Sequence, residues 1–101
     1  MAIKRDISED GNVLTISIAG SFDITTYKEF GEACKSQVDS VKKWVLDMIE
    51  VEYLDSSALG MLLMFRERSG GDIAAIDIVN CSPGVKSIFA TANFDKLFHI
   101  E

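Results

Sequence analysis

Proline is almost absent from this chain: it occurs once, as Pro83, among 101 residues. No proline-rich linker can divide such a sequence, and it holds no internal repeat or low-complexity run. Residues 1–101 are expected to form a single domain, a size that buries roughly two-thirds of the surface its unfolded chain exposes. Cysteine is scarce as well. Cys34 and Cys81 stand alone, outside any C-x-x-C or Cys/His cluster. A secreted domain of this length usually carries a denser cysteine framework, so both are read as reduced, mostly buried thiols. Neither they nor the one histidine, His99, has metal-ligand spacing, and no metal or cofactor is expected. Basic residues are outnumbered, with 10 Lys and Arg against 16 Asp and Glu and a net charge of −6. A nucleic-acid backbone would be repelled, which argues against DNA or RNA as a partner. Long apolar runs are missing too. The longest, Ala58 to Phe65, is far short of the ~20 residues a membrane span needs. The first twelve residues lack the apolar segment of a signal peptide. A soluble, cytoplasmic protein with no membrane insertion is expected.

What is present is a normal apolar share, 48%, enough for a core that folds without disulfides or metal. The pattern of those residues gives the elements. Ile3 to Ile7 alternates, Asp10-Gly11 supplies a hairpin turn, and Val13 to Ile18 alternates again, with Gly20 expected to end the strand. Thr26-x-x-Glu29 fits a capping box, and Tyr27, Phe30, Cys34 and Val38 then form a helical stripe. Trp44 to Met48 is apolar on both faces until Asp47 and reads as a central strand, with Glu50 to Leu54 as a connection. Asp55-Ser56-Ser57 is a helix-starting cluster, because Asp and Ser oxygens accept the free N–H groups of a first turn. The helix it opens runs to about Ser69, is almost wholly apolar inside, and is expected to be buried on most sides, Met61 and Met64 included. Gly70-Gly71 stops it. Ile73 to Val79 is a further strand. Ser82-Pro83 begins a third helix with a stripe of Val85, Ile88, Phe89 and Ala92, Asn93 suits a left-handed cap, and Leu97 to Ile100 forms a last strand. The order ββαβαβαβ predicts an α/β domain. Its sheet of about five strands is mostly parallel, with right-handed crossovers and the first hairpin at an edge.

Enzymatic chemistry finds little support in these residues. A serine nucleophile needs a base, and His99 is the single histidine, in the last strand. No Gly-x-Ser-x-Gly elbow, phosphate-binding loop or dinucleotide fingerprint is present. The chain is therefore read as a binding module.

Three segments carry a family resemblance. Val45-Leu46-Asp47 followed at seven residues by Asp55-Ser56-Ser57-Ala58-Leu59-Gly60 resembles the signature of STAS domains of the anti-sigma-factor-antagonist type. Gly20-Ser21-Phe22-Asp23 and Ile78 to Val85 match two further segments of that family in the right order. The resemblance implies that Ser56 is phosphorylated by a serine protein kinase that is itself an anti-sigma factor. The unphosphorylated form would bind that kinase, the phosphorylated form would be released, and a serine phosphatase would reset it. Asp23, Asp55, Ser56, Ser57 and Ala58 are then the candidate partner-binding residues. Ala58 stands where the family usually has glycine, so its methyl group would narrow a partner's approach. Ser57 is read as bonding first-turn backbone groups, and Asp23 either caps the first helix or acts electrostatically. Thr25 and Thr26 lie where some relatives carry a second phosphosite, but Thr26 is better explained as a cap. Asp47 is expected to hydrogen-bond the loop that positions Asp55. Some STAS proteins serve sensory, signalling or transporter complexes with no sigma factor as output, and the serine motif alone does not separate that alternative.

Overall fold

The computed structural model describes residues 3–35 and 41–101. Five strands, β1 (Ile3–Ile7), β2 (Val13–Phe22), β3 (Lys43–Leu54), β4 (Ile76–Val79) and β5 (His99–Ile100), alternate with three helices. These are α1 (Tyr27–Lys35), α2 (Ser56–Arg68) and α3 (Pro83–Thr91). The sheet order is β1-β2-β3-β4-β5. Among the described residues only β1 and β2 pair antiparallel, so the hairpin lies at one edge of an otherwise parallel sheet, as expected. Each β–α–β unit joins neighbouring strands in chain order, and right-handed crossovers then put all three helices on one face.

That face is the core. Register aligns Leu14 with Trp44 and Trp44 with Ile76, then Ile16 with Leu46 and Leu46 with Ile78. All six are buried, and they form one cluster with Phe30 of α1, Met61, Leu62 and Phe65 of α2, and Val85 and Phe89 of α3. Aromatic rings link the layers: Phe22, Phe30, Phe65 and Trp44 follow one another at centroid distances of 5.2, 5.9 and 5.0 Å. The alternate residues Thr15, Ser17, Val45 and Val79 are only half-buried. The central strand is thus covered on one face, not on both as its apolar run predicted.

Several boundaries differ from the sequence reading, each for a physical reason. β2 does not end at Gly20 but passes through it to Phe22, and β3 continues through the expected connection to Leu54. Two register shifts between β2 and β3, at Ser17/Ala19 and Gly20/Ser21, put extra residues on β3. Buried positions along β3 therefore go from Trp44, Leu46, Met48 to Val51 and Leu54, a spacing of three that hides the strand from a period-two search. Gly20 sits between the shifts with φ +79°, a conformation glycine adopts freely. After α2, Gly71–Ile73 forms a 3-10 turn and β4 begins only at Ile76. The last strand is shortened to His99–Ile100 by a 3-10 turn at Phe94–Lys96, entered through Asn93 at φ +61°. In the stripe of α1, Phe30 is buried, Cys34 is half-buried and Tyr27 is exposed, while Val38 lies outside the described residues.

Candidate functional site

β3 pairs with β4 only through Trp44–Asp47, so its second half extends beyond β4 in partnership with β2 alone. Phe22 and Leu54 are register partners at the tip of this pair. The next residues in each strand direction are Asp23 and Asp55, which brings two of the sequence-predicted residues to one end of the sheet.

Each aspartate starts a helical turn. Asp55 is extended and its Oδ1 accepts the N–H of Ala58 at 3.0 Å, making it the N-cap of α2. Its own N–H donates to the Phe22 carbonyl at 3.4 Å, tying the cap to β2. Asp23 caps the 3-10 turn Ile24–Thr26, where its Oδ1 accepts the N–H and the hydroxyl of Thr25. The capping box expected at Thr26 is not formed. Thr26 is buried, its hydroxyl donates to the Asp23 carbonyl at 2.7 Å, and α1 starts one residue later. The Glu29 side chain does not reach back to it, and Glu29 Oε2 is buried with no hydrogen-bond partner among the described residues.

Because Asp55 is the cap, Ser56 is the first helical residue. It is exposed, and its hydroxyl makes no hydrogen bond among the described residues. Ser57 is half-buried and likewise forms none, so the first-turn bonding expected of it is supplied by Asp55 instead. Ala58 is 0% exposed. Its methyl group is a core contact and does not narrow the approach to Ser56, and a partner cannot touch it without opening the fold. Asp47 does not bond the loop before Asp55. Its Oδ1 accepts the Ile49 N–H and the Asn80 Nδ2–H, each at 3.0 Å, and so pins the end of β4 to β3.

α2 is buried on one side only, through Ala58, Met61, Leu62 and Phe65. Starting from Ser56 and stepping by three or four residues, Gly60, Leu63 or Met64, and Glu67 are all exposed. The reading of Met64 as core is thus corrected: it is 42% exposed. Ile24, Tyr27 and Tyr53, from the segments around Asp23 and Asp55, are exposed as well. The helical period counted from Ser56 would have found the α2 face in the sequence, whereas the exposure of Ile24 and Tyr53 depends on the strand tip. His99 lies in β5, two strands from β3, with Nε2 3.1 Å from Glu101 Oε2. Among the described residues no group of three or more His, Cys, Asp or Glu could hold a metal ion, and no helix is long and apolar enough to cross a membrane. Cys34 and Cys81 are free, and burial raises both thiols, Cys34 to about 12.

The chain is thus a small α/β module with an exposed serine on the first turn of α2, where the parallel β2–β3 pair ends. The family model described as "Mlab, STAS domain" matches residues 6–99, and the chain belongs to the STAS-domain family. A STAS-domain containing protein of Pseudomonas aeruginosa strain UCBPP-PA14 is 45% identical over 100 residues, covering 99% of each chain. The crystal structure of an anti-sigma factor antagonist from Mycobacterium paratuberculosis is 25% identical with a TM-score of 0.79, covering 97% of this chain and 84% of that one. The Bacillus cell fate determinant SpoIIAA in its phosphorylated form shares the fold, with a TM-score of 0.75 at 14% identity, covering 99% of this chain and 91% of that one.

Proposed function

We propose that this protein is an anti-sigma-factor antagonist: a cytoplasmic phosphoprotein that binds an anti-sigma factor with serine kinase activity and is released when that kinase phosphorylates Ser56. A serine phosphatase would restore binding. The observation that carries this reading is the position of Ser56. It is exposed at the first turn of α2, bonded to nothing among the described residues, while the neighbouring Asp55 does the capping. A structural serine would be expected to hold a backbone group, as Ser82 does for Val85 at 3.2 Å in α3.

The surroundings fit a docking surface. Gly60 lies one turn after Ser56 on the same exposed face, and a Cβ added there would meet nothing within 4 Å. A glycine inside a helix costs about 0.5–1 kcal/mol relative to alanine, and here no packing contact explains it. Close approach of a partner's backbone does. Exposed Ile24, Tyr53, Leu63 and Met64 supply apolar area around the serine. Asp23, Asp55 and Ser57 complete the rim, while Ala58 supports them from the core.

The charge arithmetic favours a switch on binding. A phosphate on Ser56 meets the positive end of α2, a favourable contribution of about 0.3–1 kcal/mol. It also brings about −1.5 to −2 charges to the surface. Against a partner carboxylate ~6 Å away, repulsion is about 1–5 kcal/mol for effective dielectrics between ~80 and ~20. The test is phosphopeptide mapping together with affinity capture on wild type and Ser56→Asp. Phosphate on Ser56 and loss of a kinase partner from Ser56→Asp are expected. Modification of Ser57 or Thr26 alone would overturn the assignment. Capture of a sensory or transporter component with no sigma regulator would keep the switch and move its output to the alternative complex.

A further inference from the structure

Between α1 and α2 lies a half-open cavity of about 470 Å³, within the size range of small-molecule sites. Phe30, Trp44, Met61 and Phe65 line it from the core side. Gly31 lines it from α1, where a Cβ would meet nothing within 4 Å, so part of the volume exists because no side chain fills it. Cys34 also lines the cavity. Its thiol, pushed up to about 12 by burial, is neutral at physiological pH and repels no anion.

Charge at the mouth is uneven. Lys28, Arg68 and Glu32 are the charged residues of the lining. Glu32 has an interaction of its own. No ion pair to Lys28 or Arg68 is found among the described residues, and both side chains belong to exposed positions. An apolar body with two available cations at its opening complements one kind of small molecule, an apolar chain or ring ending in a single anionic group. A carboxylate matches the planar guanidinium of Arg68 best, through paired hydrogen bonds.

We propose that the cavity between α1 and α2 binds a small amphipathic monocarboxylate, its apolar part against Phe30, Trp44 and Phe65 and its carboxylate at Lys28 and Arg68. The site is separate from Ser56 and does not rest on the phosphorylation reading. It touches the docking face through Tyr27 and Met64, which line the cavity and are exposed at once.

The chain supplies its own reporter, since Trp44 is the single tryptophan. Decanoate is the probe, with decanol and acetate as the uncharged and the tail-less arms, titrated against the full chain while Trp44 emission is followed. Saturable one-to-one binding of decanoate is expected, with none of acetate. Arg68→Gln and Lys28→Gln, both at exposed positions, should each weaken decanoate about two- to fivefold and leave decanol unchanged. Gly31→Leu fills the space and should abolish binding of both. If that variant does not fold, the two charge variants decide the matter. Absence of saturable binding, or equal decanoate affinity of wild type and the Lys28→Gln/Arg68→Gln double variant, would overturn the proposal. So would sedimentation evidence that the free protein is a dimer that the Met64→Asp variant, changed at the edge of the cavity, no longer forms, which would give the groove to a second copy.

Discussion

Asp55 and Ser56 are neighbours in one helix-starting motif, and the structure gives them opposite roles that stability measurements can separate. Asp55 accepts the Ala58 N–H at 3.0 Å and donates its own N–H to the Phe22 carbonyl. Asp55→Ala removes the cap, at a cost of about 0.5–2 kcal/mol. It also removes a negative charge from the positive end of α2, a further ~0.3–1 kcal/mol. A total of about 1–3 kcal/mol follows, and at roughly 4–8 °C per kcal/mol the melting temperature should fall by about 4–24 °C. Ser56→Ala removes a hydroxyl that bonds to nothing among the described residues. Its effect should stay within ~0.5 kcal/mol, the range of surface substitutions away from special features. Ser56→Asp adds a charge that suits the helix end and stands next to another carboxylate, so its net effect should be equally small. The assay is urea unfolding followed by circular dichroism, with thermal melts of the same four proteins. A loss above ~1 kcal/mol for Ser56→Ala would show that the hydroxyl is structural, and the functional reading of its exposure would lose its basis.

Three more outcomes can be checked on the folded protein. Gly60→Ala should stabilise it by about 0.5–1 kcal/mol, because the helix gains and a Cβ has free space, whereas Gly20→Ala should cost about 1–2 kcal/mol through its φ of +79° alone; equal effects in denaturant titrations would contradict this. Phe65→Ala should cost about 3–5 kcal/mol, since the ring stacks edge-on against both Phe30 and Trp44. Cys34 keeps its proton to about pH 12 in the folded state and loses it near pH 9.0 when unfolded. Its contribution is therefore complete below pH 9.0 and is lost as pH rises toward 12, by up to ~1.4 kcal/mol per pH unit. Cys34→Ala should flatten that part of the stability profile, and an unchanged slope would refute the burial argument.

Much of this fold was legible because local signals and the final packing agree. The Asp10-Gly11 turn, the Ser82-Pro83 start of α3 and the left-handed Asn93 each act through their own backbone chemistry, and each is found where that chemistry put it. The second half of β3 was not legible. Its two bulges change the burial spacing from two to three, and no single-strand pattern contains the register of a neighbour. The same limit affected the site. Ser56 was named from its motif, but whether Asp55, Ser56 or Ser57 serves as the cap is decided by where the extended tip of β3 hands over to α2. Met64 reads as core in the sequence because α2 is apolar nearly all round. Apolar content alone cannot say that one face of a helix is left open, and here the sheet covers only the other.

The position of Ser56 also bears on what a phosphate can do to the fold itself. Two candidates for repulsion are the carboxylates of Asp23 and Asp55, which follow adjacent strand ends. Both hold N–H groups of the turns they start, so neither can move far without uncapping a helix or a turn. At ~6 Å in water each would oppose a doubly charged phosphate by about 1.4 kcal/mol before salt screening. The helix end returns about 0.3–1 kcal/mol. The net loss, roughly 2–2.5 kcal/mol before screening, is still inside the 5–15 kcal/mol that holds a small domain together. A docked partner excludes that water, and the same charges then act at a lower effective dielectric. Phosphorylation should therefore lower the melting temperature of the free protein by no more than about 20 °C, with a single cooperative transition kept. Its effect on the complex should be larger than its effect on the fold. Calorimetry of the phosphorylated and unphosphorylated forms tests this directly. Unfolding on phosphorylation would mean that the switch works by melting α2 and not by repelling a partner from its first turn.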